Sequence, residues 1–232
     1  MDIAQLIQTI AIYALPVLFA ITVHEAAHGY AARHFGDNTA DMLGRVTLNP
    51  VKHIDPIGTI VMPLMLYIVS SGSFLFGYAK PVPVRFGNLR NPKRDMIWVA
   101  LAGPVSNLAM ALAWGVGVYL LQAAQVTEVF WVKMFAGGVL VNIAMFAFNM
   151  FPLPPLDGGR VLVGLLPVRQ AIAFSRVEAY TMYIFLGMLV LDMLHIVNLY
   201  AFFYAVWMGP VMSAAMVLLQ LVLMPLALLL QP

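Results

Sequence analysis

Three ionisable side chains, His24, Glu25 and His28, stand inside the otherwise largely apolar stretch 5–33, and the rest of the chain must shelter them. A stretch of that length suffices for a bilayer-spanning helix of about 20 residues. On a helix, positions i and i+4 share a face, so both imidazoles of His24-Glu25-Ala26-Ala27-His28 can grip one metal ion. Glu25 between them lies near the same ion, where a carboxylate can serve as general base in metal-assisted hydrolysis. At lipid depth such groups are costly unless they face an interior cavity and bind something. The five-residue pattern also arises in soluble helices that bind nothing. What sets this one apart is its apolar flanks, Leu18–Val23 before it and Gly29–Ala32 after it.

Only 9% of the 232 residues are charged and 62% are hydrophobic, whereas a soluble domain carries about 25% charged residues. The chain is therefore read as an all-α polytopic integral membrane protein. Apolar runs at 5–33, 57–77, 96–121, 129–151, 178–206 and 208–230 predict five to six transmembrane segments. Residues 1–232 read as one integral membrane unit, with a core over 5–165 and accessory C-terminal helices over 178–231. The first run has no basic residue ahead of it and does not resemble a cleavable signal peptide. Absence of cysteine excludes disulfides, thiolate zinc sites and cysteine nucleophiles. A net charge of +2 gives no footprint for nucleic acid.

Catalytic zinc takes three protein ligands and keeps one position for water, so a third ligand is needed. Asp157 is the candidate, in Phe151-Pro152-Leu153-Pro154-Pro155-Leu156-Asp157-Gly158-Gly159-Arg160. Prolines and glycines break the helix there, and irregular backbone at membrane depth survives only where protein or a water-filled cavity shelters it. A Pro/Gly turn whose Asp caps the next helix is the competing reading.

Together HEAAH at 24–28, AGPVSN at 102–107 and NMFPLPPLDGGR at 149–160 resemble the site-2 protease family of intramembrane metalloproteases. The likeness runs from about residue 10 to 165, and it is nearest to the short prokaryotic members, which carry no PDZ or CBS domain. HIDPIGTI at 53–60 and GYAKPVPVR at 77–85 are similar to the linker of those members. The resemblance implies Zn2+ held by His24, His28 and Asp157, with Asn149 and Asn107 as further site residues. It also implies cleavage of transmembrane segments of other proteins within the bilayer.

Residue chemistry agrees with that expectation. Zinc lowers the pKa of bound water to about 7, and Glu25 can take the proton and return it to the leaving nitrogen. Asn107 and Asn149 can donate hydrogen bonds to a substrate backbone or a developing oxyanion. Equally, both amides can act as helix–helix glue, the reading favoured for Asn142. Pro81-Val82-Pro83-Val84 reads as a short extended or β segment, membrane-associated, between the first and middle core helices. It can serve strand addition by an unwound substrate or act as a stiff linker.

Shared ligation also fixes topology. The histidines lie near the C-terminal end of the first helix and Asp157 just beyond the run 129–151, so those helices run the same way. One crossing, 96–121, then separates them, and 57–77 is re-entrant or partly inserted. Arg33, Arg45, Lys52, Lys80, Arg85, Arg90, Lys93 and Arg94 precede the middle helix and Arg160, Arg169 and Arg176 follow Asp157, while 122–128 has no Lys or Arg. The positive-inside rule makes the basic side cytoplasmic, in a prokaryotic plasma membrane. His34 belongs to the interface, His53 to a structural hydrogen bond in a loop, and His195 with Asp192 to a packed contact. A di-iron oxygenase needs more histidines than the five present. A non-proteolytic metal-binding or transport protein would not require Glu25 between the ligands.

Overall fold

The computed structural model describes residues 3–69, 77–194, 196 and 198–230, and among these it is helix and loop throughout. The long elements are α1 (Ile3–His34), α2 (Met62–Val69), α3 (Pro92–Ala123), α4 (Val129–Asn149), α5 (Asp157–Leu165), α6 (Val168–Ser175), α7 (Glu178–Met193) and α8 (Gly209–Leu229). At 32 residues each, α1 and α3 reach about 48 Å, well beyond a hydrocarbon core of about 30 Å.

Two expectations about the fold are corrected. Among the described residues four helices, not five to six, are long and apolar enough to cross a membrane by themselves: Ile3–His34, Pro92–Ala123, Val129–Asn149 and Ala201–Leu229. A fifth is reached only if Val168–Thr181 and Tyr183–Asp192, bent by 51°, make one span. The run 178–206 is not a single helix: α7 ends at Met193, and the residues from Ala201 onward belong to the last span. Among its described residues, the run 57–77 holds the short helix Pro56–Ile68, about 20 Å long. The second correction is that no β-strand occurs among the described residues, 77–85 included. Pro81 and Pro83 have no N–H to donate to a ladder. Alternate donors of this segment bind elements on either side: Tyr78 N–H donates to Gly58 O, Lys80 N–H to His53 O and Val82 N–H to Glu25. It is an extended strap rather than part of a sheet.

Contacts between the long helices give their directions. Ala20, His24 and His28 of α1 meet Asn107, Gly103 and Val99 of α3, positions that fall as those in α1 rise, so the pair is antiparallel. Asn107, Trp114 and Gly117 of α3 meet Asn142, Gly138 and Phe135 of α4, again antiparallel. Hence α1 and α4 run parallel and end on one face, as shared ligation requires. Small residues permit this closeness: a Cβ on Gly138 would lie 2.3 Å from Trp114, and one on Gly117 2.2 Å from Phe135. Ala111, Val139, Ile143, Ala215, Leu219 and Leu223 bind α8 to α3 and α4.

Buried Asp37 ties the loop after α1 to the end of the strap. Its carboxylate accepts from Thr39 N–H at 3.0 Å, Thr39 Oγ1 at 2.5 Å, Arg85 N–H at 2.6 Å and Asn88 Nδ2 at 3.2 Å. Burial alone would raise its pKa, but those donors together hold it below the ordinary carboxylate value.

These directions put 36–56, 78–91 and 158–177 on one face and 124–128 on the other. Single cysteines at exposed Gly87→Cys and Gln170→Cys are expected to react with a membrane-impermeant thiol reagent from the same side, and Thr127→Cys from the opposite side. Labelling of Gly87→Cys from the side of Thr127→Cys would show a full crossing between α1 and α3.

Candidate metal centre

His24 and His28 point from α1 across the antiparallel contact with α3, while Asp157 opens α5 after the turn that ends α4. A carboxylate in a first helical turn is favoured by the unpaired N–H groups there. The turn folds tightly onto that helix: a Cβ on Gly158 would lie 2.1 Å from Met150 O, and one on Gly159 2.2 Å from Pro154 N. Only glycine fits at either position, which is the structural content of the Asp-Gly-Gly sequence.

His24 Nε2 and His28 Nε2 lie 3.1 Å apart, and Asp157 Oδ2 lies 3.2 Å from the first and 3.3 Å from the second. Four-coordinate zinc with bonds of about 2.0–2.1 Å sets ligand atoms about 3.3 Å apart, so these three atoms fit one face of a tetrahedron. His24 is 4% exposed and Asp157 6%, which shields the group from bulk water while His28 is only partly buried.

Proton placement makes the same point. His24 Nδ1 lies 2.6 Å from Asn107 Oδ1, and His28 Nδ1 lies 2.7 Å from Val99 O. Both partners are acceptors, so each Nδ1 carries the proton and each Nε2 presents a lone pair inward. Asp157 Oδ2 is buried with no hydrogen-bond donor. With both imidazoles neutral, these three lone-pair atoms face one another, an arrangement that a cation at their centre would stabilise. Among the described residues this is the one group of His, Asp and Glu placed to hold a metal ion.

The structure thus brings together all three expected ligands. It also places Glu25 beside the strap, its Oε2 accepting from Val82 N–H at 2.7 Å. Asn107 is fully buried against His24, and its amide nitrogen donates to Ala20 O at 3.3 Å and to Asn142 Oδ1 at 3.0 Å. Both of its N–H groups are therefore committed. Asn149 donates to Met145 O at 3.0 Å, one turn back in its own helix. His34 packs edge-on against Phe35, and buried His53 donates from Nε2 to Thr47 O at 2.9 Å, so both stand apart from the centre. His195 lies outside the described residues. Gly103 was not expected as a site residue: a Cβ there would sit 2.4 Å from His28 Nε2 and 2.7 Å from His24 Nε2. The Gly-Pro pair in the middle of an apolar helix is the one sequence signal for it, since glycine weakens a helix and needs a reason to be there.

Residues 115–191 match the model of Peptidase family M50. Over 184 residues the chain is 36% identical to YwhC of Bacillus subtilis, covering 76% of this chain and 78% of the relative. Rip2 of Mycobacterium tuberculosis is 31% identical over 141 residues, 61% of this chain and 52% of the relative. Both relatives carry provisional names as zinc metalloproteases. No solved structure matches the chain.

Two substitutions test the centre by metal affinity, measured by chelator competition on purified protein. Asp157→Ala is expected to lose stoichiometric zinc. Gly103→Ala adds one methyl against the two ligand nitrogens and is expected to weaken binding at least about tenfold, the scale of disturbing a ligand's orientation. Full zinc occupancy of Asp157→Ala at wild-type affinity would remove that residue from the site.

Proposed function

Because this chain belongs to peptidase family M50, the site-2 protease family of zinc metalloproteases, we infer that it is a multi-pass, zinc-dependent intramembrane endopeptidase acting on transmembrane segments of other proteins. The observation that carries this reading is the tetrahedral face formed by His24, His28 and Asp157 at the end of a membrane-spanning helix. The basic face of the bundle, where those residues lie, is proposed to be cytoplasmic in a bacterial membrane.

When bound, zinc supplies a Lewis acid and lowers the pKa of water to about 7. Glu25 acts as the general base: it accepts the proton released by water and returns it to the amine as the peptide bond breaks. Val82 N–H anchors one oxygen of this carboxylate, so the base does not swing freely beside the ligands. Asn149 sits on the last turn of α4, eight residues before Asp157. Its amide is proposed to bind the substrate backbone or the developing oxyanion. Beside them the strap offers substrate no N–H at Pro81 or Pro83, and that of Val82 is spent. Pairing with a substrate there runs through carbonyl oxygens.

Glu25→Gln keeps the side-chain size but cannot accept the proton. It is expected to retain zinc while losing about 10²–10⁴-fold in turnover. Near-normal cleavage by this variant with zinc bound would overturn the mechanism.

An intact substrate helix folds its carbonyls into i→i−4 bonds, so the segment must unwind locally before attack. Substrate spans of matched hydrophobic length that carry Gly or Asn near the scissile bond are therefore expected to be cut faster than the same spans with Leu there. Equal rates would show that unwinding does not limit cleavage.

A further inference from the structure

Two asparagines, one on each helix behind the metal ligands, form a chain that the hydrolytic mechanism does not use. Asn142 of α4 and Asn107 of α3 are both fully buried. Asn142 Nδ2 donates to Gly138 O at 2.9 Å, which turns its Oδ1 toward α3. That oxygen accepts from Asn107 Nδ2 at 3.0 Å, and Asn107 Nδ2 also donates to Ala20 O at 3.3 Å. Asn107 Oδ1 is thereby left facing His24 Nδ1 at 2.6 Å.

The direction of every bond in this chain is set from its ends. Gly138 O and Ala20 O are backbone carbonyls and can only accept, so neither amide can rotate by half a turn without facing oxygen against oxygen. A reversed Asn107 would present N–H to His24 Nδ1 and force the ring proton onto Nε2, the atom that faces His28 and Asp157. We propose that Asn107 and Asn142 are positioning residues for the metal centre, a two-amide relay that holds His24 in the tautomer whose Nε2 lone pair binds the ion. His28 needs no such relay, because its Nδ1 faces the backbone carbonyl of Val99 directly. The relay also explains why α4 carries a buried amide seven residues before Asn149, at a depth where an unsatisfied polar group is expensive. The inference rests on the zinc reading of His24, His28 and Asp157.

The test is zinc affinity by chelator competition on the purified full chain, with the visible spectrum of the cobalt(II)-substituted protein as a second readout. Asn107→Leu removes the acceptor and is expected to weaken zinc binding about 10–100-fold, the range for partners of metal-bound histidines. Asn107→Asp keeps an oxygen against His24 Nδ1 but sets a second oxygen against Ala20 O and Asn142 Oδ1, so it is expected to bind zinc more weakly than wild type yet more tightly than Asn107→Leu, while keeping the wild-type cobalt spectrum. A merely space-filling role predicts the reverse order, since the carboxylate is the harder group to bury there. Asn142→Leu is expected to weaken binding several-fold in the wild-type background and not at all in Asn107→Leu, because it acts only through Asn107. Wild-type affinity in Asn107→Leu, an Asn107→Asp defect as large as that of Asn107→Leu, or additive losses in the double variant would each overturn the relay. Failure of the wild-type protein itself to bind zinc, or full binding by Asp157→Ala, would instead overturn the site reading on which it rests.

Discussion

The helix arrangement depends on the close approach of three atoms, the Nε2 groups of His24 and His28 and Oδ2 of Asp157, all within 3.3 Å of one another. Two helices parallel to each other, α1 and α4, must end at one depth to bring these atoms together. A third helix, α3, must run between them in the opposite sense. Close approach then demands glycine where α3 passes the ligands, at Gly103, and where α5 folds back onto the turn, at Gly158 and Gly159. A bilayer supplies no hydrophobic drive between helices, so packing of small residues and interhelical hydrogen bonds must hold this geometry. The buried amides of Asn107 and Asn142 do the second task, and the glycines of α3 and α4 the first.

The candidate cluster of His24, His28 and Asp157 was legible in the sequence because metal chemistry leaves few options. Without cysteine, two histidines at helical spacing and one carboxylate beside a broken helix end form a short set of candidates. Parallel directions for α1 and α4 followed from shared ligation alone, and the contacts with α3 agree. Span number was less legible, since hydropathy measures length of apolar run and not continuity of helix. The run 178–206 looked like one crossing although its helix stops at Met193, and the described part of 57–77 holds only the short helix Pro56–Ile68. The β reading of Pro81–Val84 failed for a related reason. Alternating prolines favour an extended backbone, but a strand also needs a partner with a matching ladder, and sequence near the segment says nothing of one.

What the sequence hid was how its neutral groups connect to the histidines. A backbone carbonyl such as Val99 O carries no residue signature, yet it orients His28. Asn142 looked like glue because nothing in its surroundings marks it as connected to a metal ligand two contacts away. Val82 could not be singled out as the partner of Glu25, since any residue but proline offers the same N–H; its two proline neighbours were the only hint that this one donor would matter.

The C-terminal helices also acquire a structural role from named bonds. Thr181, after the short helix α6, donates from its hydroxyl to Pro154 O, and Trp207 donates from Nε1 to Ala147 O at 2.8 Å. These two bonds grip the chain on either side of the stretch that runs from Asn149 into the turn before Asp157. Phe151 lies between them, its ring edge-on to Phe203 and Trp207 at 5.0 and 5.4 Å. A turn with prolines at 152, 154 and 155 has few N–H groups with which to hold itself, so its position must be fixed from outside. Ligand geometry tolerates little displacement, and a carboxylate carried on an unsupported turn would not stay within reach of two imidazoles fixed on another helix. The accessory helices thus serve the same requirement as the amides and glycines: they keep Asp157 within reach of His24 and His28, where a cation would offset the cost of burying it.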